Sequence, residues 1–150
     1  MDPTSLGFRH AYPLQVRWSD MDALGHVNNA RFLTYMEQAR IAYATDLALW
    51  DGDRGTLGLI MARAVVDFKL PLLAADEVYV LSRCIRLGRR SFDMEQWVVR
   101  ASSVDPAAPE ISAQGVITMV VYDYRANQSA PIPDRWRSLV KSYELAPPQE

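Results

Sequence analysis

The densest chemistry in the sequence lies in SDMDALGHVNN, residues 19–29, where Asp20, Asp22, Gly25, His26, Asn28 and Asn29 share one short stretch ahead of a helical pattern. A helix N-terminus offers unpaired N–H groups and the positive end of a dipole, which can stabilise an oxyanion forming on a carbonyl carbon. A carboxylate in the preceding turn can attack that carbonyl, or take a proton from the water that attacks it. The plain reading is that Asp, Gly and Asn are turn and cap residues, which populate most strand-to-helix connections. Other nucleophile and metal arrangements are missing. There is no G-x-S-x-G elbow, no P-loop and no dinucleotide fingerprint. His10 and His26 are the only histidines and neither has ligand spacing, so no metal site is expected. Cys84 falls inside a strand pattern and reads as a small buried hydrophobe.

The elements that must hold this stretch follow from periodicity. Leu14, Val16 and Trp18 alternate with polar neighbours, so residues 12–19 read as a strand. From Ala30 to Ala44 there is no Pro or Gly, and Phe32, Met36, Ala39 and Tyr43 repeat at helical spacing with Leu33 beside them; Asn28 and Asn29 are both competent N-caps. DGDRGTLG, residues 51–58, reads as a loop. LIMARAVVDFKL places Ile60, Ala62, Ala64, Val66 and Phe68 on one face of a half-buried strand. EVYVLSRCIRL and SFDMEQWVVRAS flank a hairpin turn at LGRR, and ISAQGVITMVVYDY follows the loop VDPAAPE, with Gly115 marking a bulge or a close backbone approach. A short helix over WRSLVKSYE precedes the irregular APPQE, and the tail from about residue 145 is expected to be flexible. Strand, long helix, four strands and short helix make an α+β roll, one domain over 1–150, with the long helix covering the sheet. An edge strand left open favours a homo-oligomer.

Composition bounds the function. The 150 residues carry 49% hydrophobic residues and a net charge of -2, with no basic stripe, so nucleic acid is a poor partner. No segment reaches the roughly 18 uninterrupted apolar residues that span a bilayer, so no membrane association is expected. The single cysteine lends no support to an oxidising compartment, and a cytoplasmic protein is expected.

VRWSDMDALGHVNNARFLTYMEQAR, residues 16–40, resembles the opening signature of the 4-hydroxybenzoyl-CoA thioesterase-like hotdog-fold family of acyl-CoA thioesterases, and LGRRSF falls where that family has a basic turn. The resemblance implies a five-stranded antiparallel sheet in the order 1-3-4-5-2 around a long helix, dimers with a continuous sheet that often pair into tetramers, and active sites between subunits. It implies an acyl-CoA substrate and no metal or redox cofactor. Residue by residue, Asp22 matches the family's catalytic carboxylate and Asp20 a supporting one. Asn29 supplies the backbone N–H that polarises the thioester carbonyl, Gly25 allows close approach of the chain, and Arg89 and Arg90 match the basic turn that meets coenzyme A phosphates. The H-V-N-N spelling is closer to thioesterases for fatty acyl chains, including plant acyl-ACP enzymes, where a histidine at the position of His26 contributes to the site. Glu37, on the helix between Leu33 and Ile41, is a second candidate base. Competing readings are a hotdog hydratase or dehydratase, whose D-x-N-P-x-H pattern is absent, and an acyl-CoA binding module without turnover. Trp50 and Met36 read as core or acyl-pocket wall.

Overall fold

The computed structural model describes residues 2–49, 57–102 and 108–150. Its strands are β1 His10–Gln15, β2 Leu57–Phe68, β3 Glu77–Leu87, β4 Ser91–Arg100, β5 Ile111–Asp123 and β6 Gln128–Ser129; its α-helices are α1 Asn29–Asp46 and α2 Asp134–Tyr143. The sheet runs β1-β3-β4-β5-β2, every pair antiparallel, with the two-residue β6 added beside β5. This is the hotdog roll: a curled sheet, one long helix against it and a short C-terminal helix.

The main core is the contact between α1 and the sheet. Phe32, Tyr35, Met36, Ala39, Tyr43 and Ala44 pack on Val78, Val80, Cys84, Met94, Val98, Ile117 and Val121. The helical stripe expected from sequence is thus the buried one, and Cys84 is core, its thiol pushed up to about 12 by burial and the neighbouring Glu144. Arg40 also lies on the buried face, four residues after Met36, which the apolar pattern did not announce.

Three local differences have physical causes. The first strand ends at Gln15, and Trp18–Asp20 is a turn of 3-10 helix, so Trp18 does not continue the inward alternation but stands 83% exposed. The chain turns there because Asp20 Oδ2 accepts from the backbone N–H of Arg17, closing the turn over itself. β2 is not half-buried: Ile60, Met61, Ala62, Arg63, Ala64 and Val65 are all exposed. It is the sheet's outer strand, and a register shift between Met61 and Arg63 breaks the alternation of faces. Gly115 is a close approach rather than a bulge; a Cβ there would stand 2.5 Å from the Val65 carbonyl oxygen on the paired strand. The tail beyond α2 is tied to the end of β3 by Leu87 N–H to Gln149 O (2.7 Å) and Gln149 N–H to Ile85 O (3.0 Å). The stretch 51–56, most of the loop at 104–110 and Trp50 lie outside the described residues. Among the described residues, no helix is long and apolar enough to cross a membrane.

Candidate active site at the start of the long helix

The residues 16–28 that lead into α1 are folded by two carboxylates with opposite environments. Asp20 is 1% exposed. Its Oδ1 accepts from Arg17 Nη2 at 2.9 Å and its Oδ2 from the Tyr35 hydroxyl at 2.8 Å, while Arg31 Nε stands 3.9 Å away. Burial alone raises a carboxyl pKa, but the hydrogen bonds from Arg17 and Tyr35 outweigh it and hold Asp20 below the usual carboxylate range. The Asp20 carbonyl in turn accepts from Asn28 N–H at 3.0 Å, so this buried anion fixes both the entry turn and the residue that caps the helix.

Asp22 sits in the turn between them and is only half-buried. Its N–H donates to the His26 carbonyl at 2.9 Å, its carbonyl accepts from Gly25 N–H at 3.1 Å, and its Oδ1 accepts from Leu24 N–H at 2.8 Å. One carboxylate oxygen is thus oriented by the backbone, and among the described residues the other makes no hydrogen bond. Gly25 has a φ of +84° and nothing within 4 Å of where a Cβ would stand. Its requirement within this chain is therefore the left-handed turn, not closeness to another part of the chain. The Met21–Val27 bridge closes the loop on itself and the bond from Val27 N–H to Leu72 O (2.9 Å) fastens it to the connection between β2 and β3, with His26 exposed at its tip.

The helix opens at Asn29 with Asn28 as N-cap. Asn28 Oδ1 accepts from Ala30 N–H at 2.9 Å and Asn28 O from Arg31 N–H at 2.8 Å. The two amides after Asn29 are engaged, and among the described residues the Asn29 N–H has no acceptor; it is a free donor at the positive end of an 18-residue helix.

The other candidates lie elsewhere. Glu37 is exposed two turns along α1, about 12 Å from Asn29 at 1.5 Å per residue. It lines a groove of about 580 Å³ with Arg40, Ile41, Leu57, Leu59 and Met61, which Met36, fully buried, does not reach. Arg89 and Arg90 are exposed at the β3–β4 turn, where Arg90 Nη1 donates to Ser129 O and Oγ at 2.9 Å. That turn is at the Leu57 end of the sheet, whereas α1 begins at the Phe68 end, where Phe32 and Phe68 rings are 5.4 Å apart. β3 runs between the two ends, roughly 33 Å at 3.3 Å per residue. A single chain therefore does not bring Arg89 and Arg90 to Asp22. Tyr35 and Arg17, which position Asp20, were not singled out from sequence; the signal was a tyrosine beside Met36 on the buried helical face, whose hydroxyl needs a partner. Among the described residues, no group of three or more His, Cys, Asp or Glu side chains could hold a metal ion.

Comparison with known proteins agrees with this architecture. Residues 16–139 match the family described as the thioesterase-like superfamily. The chain belongs to that superfamily and is a thioester hydrolase. A thioesterase of Thermus thermophilus, whose crystal structure is a complex with coenzyme A and Zn, is 37% identical over 94% of this chain and 98% of its own, with a TM-score of 0.79. The long-chain acyl-CoA thioesterase FadM of Escherichia coli K12 is 22% identical over 77% of this chain and 85% of its own length. Protein THEM6 of Danio rerio is 27% identical over 65% of this chain, which spans about half (49%) of that relative.

Proposed function

We propose that the chain hydrolyses an acyl-CoA thioester with Asp22 as the acting carboxylate and the Asn29 N–H as donor to the carbonyl oxygen. The observation that carries this reading is the Asn29 N–H, left without an acceptor among the described residues while Asn28 engages the next two amides, in the same short entry segment that orients the Asp22 carboxylate. In one route the Asp22 oxygen attacks the acyl carbon, the C–S bond breaks to a mixed anhydride and a thiolate that is protonated to the thiol, and water then hydrolyses the anhydride. In the other, Asp22 takes a proton from a water that attacks the same carbon. Both place negative charge on the carbonyl oxygen, where a preorganised donor counts most. The coenzyme A half of the substrate is supported by the named relatives, one of which acts on long-chain acyl-CoA and another of which is bound to coenzyme A. The cytoplasm is the proposed location.

The same proposal requires two copies. β2 pairs only with β5 and presents Ile60, Met61, Val65 and Phe68 exposed. Pairing two β2 edges antiparallel about a two-fold axis extends the sheet and exchanges its ends, setting the partner's Arg89 and Arg90 beside this chain's helix start. The basic turn then meets the phosphates of a nucleotide whose acyl carbon lies at Asp22.

Thiol release from a series of acyl-CoAs, with native protein and Asp22→Asn, tests the chemistry. Loss of about 10²–10⁴-fold in kcat is the order expected for removing an acting acid or base, with sheet, helix and oligomer unchanged. Equal rates for the two proteins remove Asp22 from the mechanism.

A further inference from the structure

The groove beside β2 holds a charge that the chain itself does not neutralise. Arg40 is 7% exposed, yet among the described residues its guanidinium has a single oxygen partner, Gln96 Oε1, at 2.9 Å from Nη1. That partner is a neutral amide whose orientation is fixed: Gln96 is fully buried and its Nε2 donates to Met36 O at 3.0 Å and Ser82 Oγ at 2.9 Å. Arg40 Nη2 meets only the Met61 sulfur at 3.9 Å, a weak acceptor, and the buried Nε has no partner. Among the described residues, no carboxylate forms an ion pair with Arg40. Glu37, one turn earlier on α1 and exposed in the same groove, acts on Arg40 through space rather than by contact.

An arginine keeps its charge at any physiological pH, and a guanidinium out of water is costly unless an anion and full hydrogen bonding accompany it. The walls around it are mostly apolar: Ile41, Leu57, Leu59, Met61 and Met119, with Tyr124. A volume of about 580 Å³ lies within the range of small-molecule pockets, which combine apolar walls with a few placed polar groups. A guanidinium Nη2 with no oxygen acceptor among the described residues, in an apolar groove, matches a carboxylate with a hydrocarbon tail.

We propose that this groove binds a carboxylate carried on an aliphatic chain, the carboxylate pairing with Arg40 through Nη2, beside Met61, and the chain lying along Ile41, Leu59 and Met119. Two sources share this chemistry. One is a free fatty acid, the product class of the hydrolysis proposed above. The other is the distal carboxylate of a dicarboxylic acyl thioester, entering from the partner's helix start, which the two-fold arrangement sets at the same end of β2. This second source rests on the thioesterase mechanism and dimer proposed above; binding of the acid does not.

Calorimetric titration of the full protein with dodecanoate, dodecanedioate and uncharged dodecanol tests the pairing, on native protein, Arg40→Lys and Arg40→Met. Dodecanoate is expected to bind native protein at least tenfold more tightly than dodecanol, with part of that preference kept by Arg40→Lys, which retains the charge but not the planar donors, and all of it lost in Arg40→Met. Equal binding of acid and alcohol to native protein overturns the inference without any variant. The rates on dodecanoyl-CoA and its ω-carboxylated counterpart separate the sources. Preference for the ω-carboxylated thioester, abolished in Arg40→Met, assigns the substrate; inhibition by dodecanoate, relieved in Arg40→Met, assigns the product. If neither thioester is cleaved, the hydrolysis reading fails and the titration still decides this one. If Glu37→Gln and Arg40→Met both split the oligomer and native protein takes up no acid, the partner's Glu37 is the counter-ion and the groove is no acid site.

Discussion

Asp20 and Asp22 stand two residues apart and do different work because one is surrounded by donors and the other by a turn. Asp20 receives the Arg17 backbone, the Arg17 guanidinium and the Tyr35 hydroxyl, so its charge serves to hold the loop. Replacing it by Asn removes the anion but leaves Arg17 and Tyr35 in place, and the expected loss of stability is about 1–3 kcal/mol, read from urea midpoints at pH 7. The pH dependence has a definite sign. A carboxyl whose folded pKa lies below its unfolded value stabilises the fold at pH above the unfolded value, and that contribution disappears as the pH falls through the folded one. The gap between native protein and Asp20→Asn should therefore be full near neutrality and close progressively below about pH 4. A gap that is unchanged at pH 3 contradicts the assignment. Asp22→Asn, by contrast, belongs to rate and not to stability.

Two glycines illustrate how an element constrains its residues. Gly25 turns the loop with a left-handed φ and open space around it, so Gly25→Ala should cost roughly 1–2 kcal/mol from backbone conformation and disturb the turn that orients Asp22. Gly115 has no such φ; it lies under β2, where an added methyl meets the Val65 carbonyl oxygen and Val66. Gly115→Ala should cost roughly 1–3 kcal/mol by forcing β2 and β5 apart, with turnover per folded molecule little changed. Thermal unfolding and thiol release measured on both variants check the distinction: Gly25→Ala loses rate beyond its loss of stability, and Gly115→Ala does not. The helix cap adds a third constraint of the same kind. Asn28→Ala frees the Ala30 amide and should cost about 1 kcal/mol.

At the scale of the molecule the governing feature is the exposed β2. A 12-residue outer strand with an apolar exposed face is a pairing surface unless something covers it. Ile60→Lys combined with Val65→Lys should yield a folded monomer by sedimentation, because neither side chain is in the main core. The same double variant should lose thiol release if, as proposed, the site draws Arg89 and Arg90 from a second copy. A fully active monomer rules out the two-copy site. Arg89→Ala with Arg90→Ala should raise KM with little change in kcat, the signature of lost ground-state and transition-state binding in equal measure; an unaltered KM excludes the phosphate contact.

The local signals carried far in this protein. Helical spacing from Phe32 to Tyr43, the cap at Asn28, the hairpin at LGRR and the crowding of Asp, Gly, His and Asn before the helix were all legible in the sequence, because each is set by neighbours within a few residues. What the sequence could not tell is where long-range packing places a side chain. That Asp20 is buried under Tyr35 fifteen residues on, that Arg40 turns inward against Gln96, that residues 60–65 of β2 are exposed on both faces, and that the basic turn stands at the far end of the sheet from the start of α1 are results of tertiary structure. Periodicity assigns a face to each residue, but only the assembled sheet decides which face is covered and which charge finds a partner.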